Sequence, residues 1–456
     1  MENGKHISHL SPALIIPQTH ESDFGRKPFS REYFAAGVIQ NGEASRFFGH
    51  EYSNTMLQNS KLQREILSST RHNKLTGTWF FAGTFAPHFG HFIAESCHRL
   101  WAWRQLKDQV DGLIFLPPPK FSDIEKWGTF VFDVLALFGI EKSQVKIVTN
   151  VTEVENIYVP EQGASFHGDV KPWYQNWLAQ NPLVKNFEPN HSANKKLFIS
   201  RRNYKLKGRV AGMDAFADFL VEHGYQEVCP ENLGFEEQLA VLASAEYIIW
   251  EEGSAVHLME LLPQQAAKAA LIMRRPTNPN IKNFLEKKYS ELYTDDELIM
   301  DQRVQSRANN AQAYFANIDK TVKGLNQNGF IETTHHVEEL KHRVIAEELE
   351  DARSYLKALK VSSEERKGYI GKLRLLQKLR RLGLDNRHLL KRALFNNALR
   401  NGNNSQAAEV INKIVSSDKF GIEELSIFQR SLSEALASSK QPIQKANLEK
   451  AIAALN

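Results

Sequence analysis

Between residues 75 and 325, short apolar runs alternate with amphipathic stretches, and that alternation restricts the region to βα units. Thr78-Trp79-Phe80-Phe81-Ala82, Gly112 to Leu116, Val145 to Val148 and Ile157 to Pro160 read as the strands of a first series. Between them, Phe89 to Leu106 has helical spacing that sets Phe92, Ile93, Cys97, Leu100 and Trp101 on one face. Phe130 to Phe138 is a second helix, stopped by Gly139. Residues 161–195 lack a clear period and read as a linker or crossover. A second series comes next, with strands at Leu197 to Ile199, Gln226 to Val228, Tyr247 to Trp250 and Ala270 to Met273. Its helices are expected over Met213 to Gly224, Glu236 to Ala245 and Ser254 to Leu262. Two successive βα domains with a crevice between them is the simplest architecture.

Two of these strands stop at polar groups. Lys196-Leu197-Phe198-Ile199-Ser200 delivers Arg201 and Arg202, with Lys205, Lys207 and Arg209 close behind, so five cations fall within nine residues. Tyr247-Ile248-Ile249-Trp250 delivers Glu251, Glu252, Gly253 and Ser254 just before a helix. In an α/β sheet, ligands bind outside the carboxyl ends of the strands, so both clusters are expected to face one crevice. Arginines there suit a diphosphate, which their planar fork matches. A solvated loop that pairs with Asp214 or Asp218 is the bland alternative. The glutamates suit ribose or sugar hydroxyls, Gly253 a tight turn and Ser254 a helix cap. His257, one turn on, is expected to face the same crevice, although a lone helical histidine is commonly structural.

A third cluster starts the first helix. His88, His91, Glu95 and either His98 or Arg99 share a face at helical spacing. The pattern fits a charged outer face, a general base for an acceptor hydroxyl, or a metal site. After about residue 330 glycine becomes sparse and the spacing is helical throughout, which implies an α-helical appendage. Its basic run between Arg366 and Arg400 suits contact with anionic lipid or a protein partner, or the solvated face of a bundle. Aromatic residues are nearly absent from that run and no recognition motif accompanies it, so nucleic acid is not expected as a partner. Leu389 to Leu455 could form paired helices like a degenerate helical repeat, although no clean period is visible.

A chain of 456 residues is long enough for two or three domains. Its two cysteines, Cys97 and Cys229, form neither ligand spacing nor a disulfide framework, which favours a reducing, cytoplasmic compartment. The N-terminal stretch has no apolar run suited to a secretory signal, and nothing approaches the ~18 apolar residues of a membrane span. Membrane contact is therefore expected to be peripheral, at the inner face.

Taken in order, these segments resemble the family 61 glycosyltransferases, which include bacterial capsular polysaccharide biosynthesis proteins. Phe89-Gly90-His91-Phe92 is similar to the family's FGHF element, and Leu197 to Arg202 with Arg209 to its arginine-bearing strand. Gly224-Tyr225 through Cys229-Pro230-Glu231 and Glu237-Gln238 fit a further stretch. Gly253-Ser254-Ala255 stands at the family's His-Gly-Ala turn, with Glu252 in place of the usual histidine. The resemblance implies a GT-B fold, two Rossmann-like domains facing a crevice, here at 76–190 for the acceptor and 191–330 for the donor. Residues 1–75 would be an N-terminal extension and 331–456 the helical region. It implies inverting transfer from a nucleotide sugar, with UDP as the first guess, to a growing surface or capsular glycan, without cofactor or metal. Arg201, Arg202, Lys205 and Arg209 would hold the diphosphate, Glu251, Glu252, Gly253, Ser254 and His257 would complete the donor site, and His91 with Glu95 and His88 would activate the acceptor. The contrasting expectations are a catalytically inactive carbohydrate-binding or scaffold protein and a metal-dependent hydrolase centred on His88, His91 and Glu95.

Overall fold

The computed structural model describes residues 6–20, 34–40, 47–57, 72–183, 195–275, 279–301, 311–332 and 335–381. The chain opens with β1 (Ile7–Leu10), β2 (Ala13–His20), β3 (Phe34–Gln40) and β4 (Phe47–Phe48), then a small hairpin of β5 (His50–Tyr52) and β6 (Thr55–Leu57). The first βα series supplies β7 (Asn73–Thr84), β8 (Gly112–Leu116), β9 (Val145–Ile147) and β10 (Thr152–Pro160). Every residue of β8 is buried, which is why it reads as an unbroken apolar run and not as an alternating one. The sheet runs β4-β3-β2-β10-β7-β8-β9, with β1 also on β10. Its β10-β7-β8-β9 portion is parallel, whereas β1 to β4 pair antiparallel. Residues 1–75, expected as an extension, therefore contribute strands to this sheet and bury Ile15, Ile16 and Val38 in it.

The second series gives β11 (Lys196–Ile199), β12 (Gln226–Val228), β13 (Tyr247–Glu251), β14 (Gln265–Ile272) and β15 (Tyr289–Asp295). All are parallel, in the order β12-β11-β13-β14-β15. The architecture is thus mixed α/β with parallel sheets. Both sheets belong to one compact unit, Met1–Asn203 with Ala217–Asp296 and Leu325–Glu332. One apolar core runs from Phe80, Phe92 and Trp101 through to Leu197, Trp250 and Leu271. Two sheets were anticipated; the shared core between them was not.

A second unit gathers Tyr204–Phe216, Glu297–Gly324 and Thr333–Asn456. Within it, strands Leu298–Asp301 and Gln312–Phe315 pair antiparallel, and Val210 bridges to Ala313. Ala211, Tyr314, Ala352, Tyr355 and Tyr369 form its core with the helices Val337–Ala358 and Ser363–Arg381. The expected helical region therefore folds together with two segments that precede it in sequence. Residues 382–456, with the anticipated helical repeat and much of the basic run, lie outside the described residues. No helix among the described residues is long and apolar enough to cross a membrane.

Candidate active site

In the second sheet the chain runs from β11 out to β12, then returns past β11 to lay down β13, β14 and β15. The strand order reverses between β11 and β13, and at such a switch point the two flanking helices depart to opposite sides and leave a crevice. Arg201 comes after β11 and Gly253 after β13, so both sit at that crevice. A Cβ on Gly253 would collide with the Arg201 guanidinium. The backbone of Gly253 is extended, at φ −169° and ψ −179°, so glycine here makes room for the close approach of Arg201 and is not required by a tight turn. Ser254 is not a cap either. Gly253 takes the cap position without a side-chain bond, and Ser254 opens a 3₁₀ helix that continues to Leu261. Eight residues of 3₁₀ geometry is long for a form that is usually confined to three or four.

The glutamates face inward. Glu251, 2% exposed, accepts a hydrogen bond from the Arg201 backbone N–H at 2.8 Å, tying the end of β13 to the end of β11. Glu252 is fully buried and accepts from Arg275 twice, from its backbone N at 2.6 Å and its Nε at 2.5 Å. A buried carboxylate needs such partners, since stripping its hydration without them is unfavourable by roughly several kcal/mol. The expectation that Glu251 and Glu252 present their oxygens to sugar hydroxyls gives way to this geometry, in which both position arginines.

Arg274 and Arg275 come after β14 and were not anticipated. Arg274 is 3% exposed, and burial together with the nearby Arg201 charge pushes its guanidinium down to about 10, against the pull of Glu252. Proximity of Arg201 to Arg274 means that like charges crowd the crevice, a field that favours an anion. Arg202 turns elsewhere: its Nε reaches Glu227 at 3.0 Å and its Nη2 reaches Asp218 at 2.9 Å. Lys205 and Arg209 belong to the second unit. Lys205 is exposed, whereas Arg209 is 1% exposed and lies 2.5 Å from Asp214, 3.0 Å from Glu347 and 3.6 Å from Asp351. Asp218 and Asp214 thus engage two of the anticipated phosphate ligands, as the bland reading of that loop has it.

At the carboxyl end of β7 the anticipated helix Phe89 to Leu106 is broken into short pieces. An α turn at Phe89–His91 passes into a π turn at Phe92–Ser96, with a 3₁₀ turn at Leu100–Ala102. His98 and Arg99 are 1% and 5% exposed, so the anticipated outer face does not extend to them. Arg99 donates to the carbonyls of Pro160 and Gly49, and His98 lies 3.0 Å from the Ala94 carbonyl. Only His88 and His91 of the anticipated face remain exposed. The π turn aims Glu95 back at His91, with Nδ1 to Oε1 at 2.5 Å, while its other oxygen lies 3.2 Å from Nε2 of His50. His50 Nδ1 lies 3.2 Å from Thr84 Oγ1. Burial opposes charge on Glu95, but the bonds to His50 and His91 outweigh it and hold its pKa at about 2. Glu95 is therefore an anion that orients the His91 ring, the pairing that a histidine base requires.

The two clusters adjoin. A Cβ on Gly90 would lie 2.7 Å from the His257 ring and 3.3 Å from Ser254 Cβ. Glycine at this position lets the His91 turn pack closely against the turn beside Arg201. His257 is partly buried, 3.8 Å from Glu260, which also lies 3.8 Å from His98. Among the described residues no group of His, Cys, Asp or Glu side chains is arranged to hold a metal ion. His50 was missed because a residue 45 positions from Glu95 leaves no local signature.

No curated protein matches the chain. The family model described as Glycosyltransferase 61 matches residues 89–270, somewhat less than half of it, from the His91 turn through the strand before Arg274. Those residues therefore form a glycosyltransferase family 61 region, with His91, Glu95, Arg201, Glu251, Glu252 and Gly253 inside it and His50, Arg274 and Arg275 outside.

Proposed function

We propose that the protein is an inverting, metal-independent glycosyltransferase of GT-B-like organisation that moves a sugar from a nucleotide donor to a glycan acceptor. The acceptor oxygen attacks the anomeric carbon and its proton passes to His91. The anomeric C–O bond breaks and the nucleoside diphosphate leaves with the electron pair. Arg201, Arg274 and Arg275 stabilise the charge that develops on the leaving phosphate, as fixed donors do best in a site prepared before the reaction. Glu251 and Glu252 hold those arginines, and Glu95 holds His91. Ser254 and His257 line the wall between the two clusters.

The observation that carries this reading is the Arg201 guanidinium lying over Gly253 at the strand-order reversal, one contact away from the His91 turn. A panel of nucleotide sugars tests it: one donor should raise the melting temperature, since a ligand specific to the native state stabilises it, and should be turned over with a glycan acceptor. Activity should survive chelator. Loss of activity on chelation would favour the metal-dependent hydrolase reading instead.

A second reading is a binding or scaffold protein of the same fold that has lost turnover. It is favoured by Glu252, which is buried on Arg275 where the family usually carries a histidine. Tight nucleotide binding without transfer or hydrolysis would support it. Peripheral attachment at the inner face of a membrane through residues 366–400, and a cytoplasmic capsule-building role, complete the proposal; vesicle cosedimentation tests the first.

A further inference from the structure

The first sheet also has a strand-order reversal. The chain lays down β7, β8 and β9 outward, then returns to place β10 on the other side of β7. The crevice there is flanked by the His91 turn, which leaves the end of β7, and by the segment Ala164–Val170, which leaves the end of β10. That segment takes no part in the sugar transfer assigned to His91 and the arginines. It is nevertheless a built element. Ala164 bridges to Val170, and Tyr52 of β5 bridges to Phe166. Asn54 clamps it from the hairpin, donating from its backbone to Ser165 Oγ at 2.9 Å and accepting from the Asp169 N–H at 2.7 Å. Lys287 clamps it from the second series, at 2.8 Å to the Gly168 carbonyl and 2.6 Å to Asp169.

At the tip, His167 is exposed and held in the left-handed region at φ 57°. A non-glycine residue in that region persists only where its surroundings impose it, and such positions cluster at binding sites. Its ring lies 3.9 Å from that of Phe166. The rings of His91, Tyr52 and His257 lie 5.1, 5.7 and 5.8 Å from Phe166. The exposed His167 ring therefore rests on the buried Phe166 ring, which also packs against the imidazole that takes the acceptor's proton. Apolar ring faces rimmed by a few polar groups are the chemistry that receives a pyranose, whose C–H bonds share one face and whose hydroxyls project from the edge.

We propose that the exposed His167 ring, backed by Phe166, marks the acceptor subsite, seating a pyranose ring with its C–H face on His167 and one hydroxyl against His91. The assignment rests on the sugar-transfer reading for its role but not for its detection. Saturation-transfer NMR on the full chain, with methyl glucoside, galactoside, mannoside and xyloside as probes, should show saturation on the ring protons of one face. His167→Asn keeps a residue that tolerates the left-handed backbone and removes the ring. It should weaken that binding about tenfold, the size of one lost aromatic contact. In transfer assays it should raise the acceptor KM by a similar factor with kcat changed far less. Tyr52→Leu, on the other side of the loop, provides a second variant should His167→Asn fail to fold. Saturation of none of the four glycosides, or equal binding by a folded variant, overturns the subsite. Glycoside binding that depends on His167, with no nucleotide released from any donor, overturns the transfer reading and leaves the subsite standing.

Discussion

Among the described residues, two arginine–carboxylate clusters use the same residue types in opposite proportion. At the strand ends of the first unit, three arginines, Arg201, Arg274 and Arg275, accompany two carboxylates, Glu251 and Glu252. In the second unit a single arginine, Arg209, faces three carboxylates, Asp214, Glu347 and Asp351. A cluster short of negative charge is completed by an anion, and one short of positive charge is completed by a proton. The first composition suits a diphosphate leaving group. The second suits a joint that ties the start of the helix Met213–Glu222 to the helix Val337–Ala358, since Glu347 also accepts the backbone N–H groups of Asp214 and Ala215. An arginine's neighbours thus decide its use more than its place in a basic stretch does.

Removing the arginine from each cluster breaks the comparison most directly. Arg201→Ala should lower kcat/KM for the donor by about 10³-fold with the fold unchanged by circular dichroism, in the range that a lost charge-stabilising donor gives. A variant within about threefold of wild type would dismiss the phosphate assignment. His91→Ala should lower kcat about 10²-fold and leave nucleotide binding in place, as the loss of a general base does. Loss of nucleotide affinity instead would move His91 out of the proton-transfer role. The pair Glu252→Gln and Arg275→Ala should each raise the donor KM about tenfold, and the double variant should be no worse than the worse single one. Additive losses would mean that Glu252 does not act through Arg275.

How much could be read in advance depends on the range of the interactions. Arg201 and Gly253 were legible because an apolar run ending in polar residues before a helix is local in sequence, and the rule placing ligands at strand ends supplies the rest. Met273-Arg274-Arg275 carries the same pattern after β14, so that signal was present too. The orientation of Glu251 and Glu252 was not legible, because it depends on which backbone amides a neighbouring strand brings within reach. Nor could spacing reveal that Phe89 to Leu106 is interrupted. The helical period records apolar positions, and the buried polar side chains of His98 and Arg99 find their partners only in the assembled sheet. The hairpin β5–β6 lies more than 100 residues from the loop it clamps, a separation that no local pattern spans.

The finest test of the comparison is pH, where the two units should respond with opposite sign. Burial, with help from Asp214 and Asp351, pushes Glu347 up to about 7, against the bonds from Ala215 and the charge of Arg209. A carboxyl whose folded pKa exceeds its unfolded value near 4.5 binds more protons when folded, so its contribution is complete below about 4.5 and is lost as pH rises through 7. Glu95 is the reverse case: held at about 2, it stabilises above about 4.5 and loses that contribution as pH falls toward 2. The windows do not overlap. Hydrogen exchange measured on Val337–Ala358 should therefore quicken, beyond its intrinsic chemical dependence, between about pH 5 and 8. Exchange on the Phe89–Ser96 turn should be affected only under acid. Glu347→Gln, uncharged throughout, should flatten the first response and shift the melting temperature at about pH 8 upward by a few degrees. An unchanged slope in that variant would show that the proton rests on Asp351 or on neither, and that the excess of negative charge around Arg209 is met in some other way.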